Sequence, residues 1–149
     1  MKNSLAKFTD PSYALLRFVA GLLFFCHGAQ KIFGAFGGAH GPLDSLMRVA
    51  GWMEVVGGPL LMLGLFTVPV AFLCSGEMAV AYFKAHAPHG FWPIVNHGEL
   101  AVVFAFLFLY IAARGGGRWS LDALLSRRPP TQAQAPAPRI IPAGQRKTA

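Results

Sequence analysis

Four apolar runs restrict this chain's fold more than any other feature of its sequence. They cover roughly residues 13–33, 50–66, 68–85 and 97–113. Spanning a hydrocarbon core about 30 Å thick takes about 17–25 helical residues. Inside lipid every backbone N–H and C=O must find its partner within the chain, so runs of this kind have to be helices. Thr67 separates the second and third runs, and Pro69 follows just beyond, which marks a tight helical hairpin. The predicted fold class is all-α: an integral membrane four-helix bundle over residues 1–125. A basic segment, 126–149, follows; its run of Pro, Gln, Ala and Arg cannot bury apolar surface and is expected to be a disordered tail.

Composition supports a polytopic membrane protein. Hydrophobic residues make up 54% of the chain and charged residues only 13%, where a soluble domain usually carries about 25% charged. The net charge of +7 comes from residues clustered at the margins rather than from a nucleic-acid-binding surface. Arg114, Arg118, Arg127, Arg128, Arg139, Arg146 and Lys147 follow the last run, and Lys2, Lys7 and Arg17 flank the first. The turn at residues 66–68 is uncharged. Both termini are therefore expected in the cytoplasm, with loops 34–46 and 86–96 outside. Phe91 and Trp92 in the second loop suit a membrane interface. The first run is too long for a signal-peptide core and no A-x-A site follows it, so it reads as a retained span.

All three glutamates, Glu54, Glu77 and Glu99, lie in these apolar runs, together with His27, Lys31 and Lys84. A charge within a bilayer costs roughly 3 kcal/mol on insertion scales, which makes such groups candidates for function. Helical spacing and a rise of about 1.5 Å per residue sort them into layers. Lys31, Glu54, Glu99 and Lys84 form a shallow external group; His27 and Glu77 lie deeper, and Arg17 stands apart near the cytoplasmic end. Glu77 is expected to contact His27, Lys31 or Lys84. The bland reading is that buried ion pairs fix helix register without chemistry and that shallow lysines snorkel to the surface. The residues alone leave both readings open.

Other signals are faint. Cys26 and Cys74 form no C-x-x-C pair and read as core thiols. His40, His86, His89 and His97 lack acidic partners nearby, so no metal site is expected. No cofactor motif is evident, and G-x-G-x-x-G is absent.

Several motifs nevertheless occur in a telling order. They are L-L-R-F-V-A-G-L-L-F-F-C-H-G-A-Q-K at Leu15–Lys31, G-W-M-E-V-V-G-G-P-L-L-M-L-G-L-F at Gly51–Phe66, N-H-G-E-L-A-V-V-F at Asn96–Phe104 and G-G-G-R-W-S-L-D at Gly115–Asp122. In that order they resemble the DoxX family of small membrane proteins, from about Leu15 to Leu125. The resemblance implies a four-helix protein of a bacterial-type cytoplasmic (cell) membrane. It also implies a link to quinone-coupled sulfur oxidation, as in the small subunits of thiosulfate:quinone oxidoreductases, or to complexes with soluble redox enzymes. The family motifs fall on Arg17, His27, Lys31, Glu54 and Glu99; Glu77 comes from the residues alone.

The leading expectation is a redox-associated subunit, an oxidoreductase component with or without catalysis of its own. It would meet quinone or a redox partner protein through a polar site drawn from His27, Lys31, Glu54, Glu77, Glu99, Arg17, Lys84 and Trp92. Two alternatives are a small-solute or proton transport module, which so few spans would build only as a homo-oligomer, and a non-catalytic scaffold for a soluble enzyme. Membrane lipids are partners in every case, and nucleic acid in none.

Overall fold

In the computed structural model, residues 4–38 and 42–126 are described; His40 and the tail segment 127–149 lie outside them. Helix α1 runs Thr9–Phe33, after a 3-10 turn at Ser4–Phe8. Pro11 falls in its first turn, where a missing N–H costs nothing. The helix stops at Gly34, whose left-handed φ of 65° returns its N–H to Ala29 O. Helix α2, Ser45–Leu63, begins well before the apolar run does. The reason is Asp44, whose side chain accepts from Met47 N at 2.7 Å and so caps the helix. Helix α3, Thr67–Ala81, continues through a π-helical turn at Tyr82–His86 and a 3-10 turn at Ala87–His89. After short α4, Pro93–Asn96, come α5, Glu99–Arg114, and α6, Leu121–Leu125.

Among the described residues, three helical stretches are long and apolar enough to cross a membrane: Leu5–Phe33, Ser45–Leu63 and Thr67–His89. Helix α5 has 16 residues. Its length is therefore about 24 Å, short of a bilayer core. Outward-facing Leu15, Phe18, Phe72, Leu73, Val103 and Phe106 remain exposed, a surface that suits lipid and not water.

The helices pack as two close pairs, α1 with α2 and α3 with α5; α2 and α3, although consecutive, meet much less. Small residues explain the first pair. A Cβ placed on Gly28 would fall 2.6 Å from Val55 N, and one on Gly21 2.6 Å from Gly58 O. Only glycine permits this approach, the usual device for packing helices in membranes. Large rings fill the space between α1 and α5 instead. Phe24 stands edge-on to Phe108 at 4.8 Å, and Phe104 stacks on Phe108 at 5.2 Å. Leu61, Ala71, Cys74, Met78 and Ile111 complete this core.

The bundle has two distinct ends. At the hairpin end, the α2–α3 turn meets the start of α1 and the segment after α5. Tyr13 Oη donates to Gly115 O at 2.5 Å, and Arg118 approaches Asp10 at 3.5 Å. At the loop end, α1 finishes, α2 begins and α3 unwinds through its π turn. Because α2 and α3 are joined only at the hairpin, their far ends are free to diverge.

Candidate functional site

A cleft of about 500 Å³ occupies that divergence, between the start of α2 and the end of α3. Its walls are apolar: Leu46, Met47, Val49, Met53 and Val80 among others. Its polar edge holds Lys31, Glu77, Lys84 and Asp44. Leu46, Val49 and Val80 are exposed, so the cleft opens at the molecular surface.

Lys31 reaches from the last turn of α1 to Glu54 on α2, Nζ to Oε1 at 2.5 Å. Gly28 and Gly51 make this bridge short. A Cβ on Gly28 would touch Glu54 Cβ at 2.7 Å, and one on Gly51 would crowd Lys31 Cβ at 3.3 Å. Glu54 is fully buried, while the Lys31 side chain keeps 27% of its surface exposed. The second Glu54 oxygen, Oε2, has no hydrogen-bond partner among the described residues, and neither does either oxygen of Glu77. Glu77 lies within electrostatic reach of both Glu54 and Lys31. The direct ion pair expected between Glu77 and His27, Lys31 or Lys84 is not formed. Lys31 is already committed across the glycine-packed α1–α2 seam, and α3 stands off from it.

The structure brings together Lys31, Glu54, Glu77 and Lys84 and separates the other expected members. His27 is turned towards α5, its ring edge-on to Phe104 at 6.3 Å, and does not line the cleft. Glu99 does not join the shallow charge group. It is exposed at the first residue of α5, where the helix dipole favours a carboxylate. Trp92, expected among the site residues, pairs edge-on with Phe91 at 5.5 Å, and both rings are exposed and do not line the cleft.

Arg17 lies at the opposite end and is buried to 2% exposure. It donates to Leu61 O, to Met62 O at 3.1 Å and to Trp119 O at 2.7 Å. Leu61 and Met62 close α2, where carbonyls lack helical partners and the dipole attracts a cation. Arg17 thus fastens the hairpin end. Asp122 fastens it too: its carboxylate accepts from Phe66 N and Thr67 N, both at 2.8 Å, and so caps α3 from 55 residues away in the chain. Phe66 needs that support, because it is a non-glycine residue at φ 49°. Burial raises the Asp122 pKa, but these hydrogen bonds and the Arg17 charge outweigh it and leave the group below its ordinary value.

Sequence reasoning missed a further network at the loop end. Buried Asn96 donates to Gly90 O at 2.5 Å and to Tyr82 Oη at 3.3 Å, and accepts from Gly98 N at 2.8 Å. Tyr82 Oη donates to Phe91 O, and His86 Nδ1 meets Asn96 O at 3.1 Å. The signal was an asparagine ahead of a helix start, with glycine nearby. Among the described residues, no three His, Cys, Asp or Glu side chains gather as a metal-holding group.

No solved structure matches this chain. An uncharacterized protein of Haemophilus influenzae is 43% identical over 127 residues, covering 80% of this chain and 95% of the relative. An uncharacterized membrane protein of Mycobacterium tuberculosis is 29% identical over 136 residues, covering 79% and 83%. The DoxX family model matches residues 12–87, which contain the glycine-packed α1–α2 seam, the Lys31–Glu54 bridge and Glu77. With that match and the 43% identical relative, the chain belongs to the DoxX family of membrane proteins.

Proposed function

We propose that this chain is a multi-pass protein of the cytoplasmic membrane, with both termini inside and α5 as its fourth span. Its α2–α3 cleft receives a quinone-type headgroup, which links a redox partner protein to the membrane's quinone pool. The observation that carries this reading is the Lys31–Glu54 pair, its carboxylate buried and Glu77 beside it, set against an apolar-walled cleft of about 500 Å³. Ligand sites of roughly 300–1,000 Å³ that combine apolar walls with a few convergent polar groups hold small rings well. A quinone has an apolar ring, polar oxygens and a lipid-soluble tail. The cleft has a matching polar edge, and a mouth whose exposed Val49 and Val80 suit the tail. In this reading electrons would pass between the quinone and a redox partner protein.

The test is binding of a short-chain benzoquinone and its hydroquinone to the purified protein in lipid nanodiscs, read by calorimetry. Saturable binding of at least one form is expected, and Ala50→Phe, which puts a ring into the cleft, should abolish it. If neither form binds saturably, the reading fails.

A further inference from the structure

Two carboxylates and one ammonium meet behind the cleft, where α1, α2 and α3 face one another. Lys31 Nζ stands 2.5 Å from Glu54 Oε1, and Glu77 lies within electrostatic reach of both. Glu54 Oε2 and both oxygens of Glu77 are shut from solvent and have no hydrogen-bond partner among the described residues. Glu77 lines the cleft, yet its oxygens are buried. Its stem therefore forms part of the wall, and its carboxyl group turns inward.

Among the described residues, no second cation balances this group. On α1, His27 is turned to Phe104, and Arg17 is bonded to carbonyls at the opposite end. On α3, Cys74 lies within reach of both carboxylates but brings no positive charge. Lys84 stands exposed at the rim, about two turns beyond Glu77. On α2, Asp44 is at the cleft's edge and is occupied in capping its helix. The buried face of α5 is Ala101, Phe104, Phe108 and Ile111. With both glutamates ionised, the cluster would hold a net negative charge in a low-dielectric interior. Burial and a neighbouring like charge both favour the neutral acid. A proton removes the excess charge, and Glu77 is its place, because Lys31 already compensates Glu54. A metal cation fits poorly. Hard cations take about six oxygen ligands or more, whereas the cluster offers three unpartnered oxygens.

We propose that Glu54 and Glu77 form a proton-binding site behind the α2–α3 cleft, in which Lys31 keeps Glu54 ionised and Glu77 carries one exchangeable proton. The proposal stands on this cluster and not on what the cleft holds. Lys31 joins the site to the cleft: it lines the cleft, keeps 27% of its side chain exposed and contacts Glu54. The proton's way in and out runs past it.

The experiment is an infrared titration of the full chain in a detergent free of ester and carboxyl groups, reading the C=O stretch of protonated carboxyl groups. Ordinary Asp and Glu side chains titrate near about pH 4, so a band remaining at pH 7 belongs to a buried acid. The wild type should show such a band at pH 7, and it should fall reversibly at alkaline pH. Glu77→Gln, which keeps the side chain's shape, should remove it. Glu54→Gln, which frees the Lys31 charge for Glu77, should lower the midpoint by about one pH unit or more, a tenfold loss of proton affinity. The first reading is taken on the wild type and needs no variant to fold. No band in the wild type at pH 7, a band that survives in Glu77→Gln, or an unmoved midpoint in Glu54→Gln each overturns the proposal. Loss of the band when sodium chloride replaces choline chloride at constant pH overturns it too, because the ligand would then be a metal cation.

Discussion

At the scale of single residues, Lys31 and Glu54 decide how the interior tolerates charge. Removing one member of a buried pair leaves the other without its compensation, at a cost of about 3–5 kcal/mol, whereas replacing both is often close to neutral. Lys31 keeps 27% of its side chain exposed, so solvent screens part of its charge and the lower end of that range applies. Lys31→Met should therefore lower stability in detergent by about 3 kcal/mol, leaving Glu54 uncompensated. Lys31→Met combined with Glu54→Gln should cost clearly less than the sum of the two single changes. A double-mutant cycle on chemical denaturation reads the coupling directly. Additive losses would mean that the 2.5 Å contact contributes nothing.

At the scale of elements, the hairpin end is held by groups borrowed from distant parts of the chain. Asp122 caps α3 with both of its oxygens. Its pKa is lower in the folded protein than in the unfolded chain. The stabilisation it contributes is therefore fully present above the ordinary carboxylate range, about pH 4, and is lost as the pH falls through the folded value. Asp122→Asn can accept through only one oxygen and turns an N–H₂ towards a backbone donor. This variant should melt below the wild type at pH 7, and the gap should narrow as the pH is lowered through 4 and below. A gap that stays constant with pH would show that the carboxylate's charge plays no part. Arg17 acts on the same end by a different route, neutralising carbonyls at the close of α2.

At the scale of the whole molecule, two close helix pairs leave a seam along α2 and α3, and the cleft is the widened end of that seam. Orientation in the membrane decides which side the cleft faces. The basic residues Arg114 and Arg118 lie at the hairpin end with Lys7, and further arginines follow in sequence. Lysine and arginine in short flanks favour the cytoplasm. A reporter fused after Ala149 should be active only inside the cell, and one inserted at Gly38 only outside. The reverse pattern would turn the cleft towards the cytoplasm.

Much of this was legible in the sequence, because apolar length and local chemistry are properties of the chain itself. Runs of apolar residues specify helices wherever water is absent, and a proline beside Thr67 marks a hairpin whatever surrounds it. Helical spacing also set Lys31 and Glu54 in one shallow layer, and these became the bridge across the α1–α2 seam. A wheel shows which residues share a face; it does not show which neighbour that face meets. Lys31 meets Glu54 rather than Glu77 because glycines draw α1 onto α2. His27 turns to Phe104 because large rings separate α1 from α5, and Glu99 faces out because it opens its helix. Asp122 and Arg17 find their partners only after distant segments arrive at one end. Rotation and approach of helices depend on side-chain volumes summed across the bundle, and only the tertiary structure contains that sum.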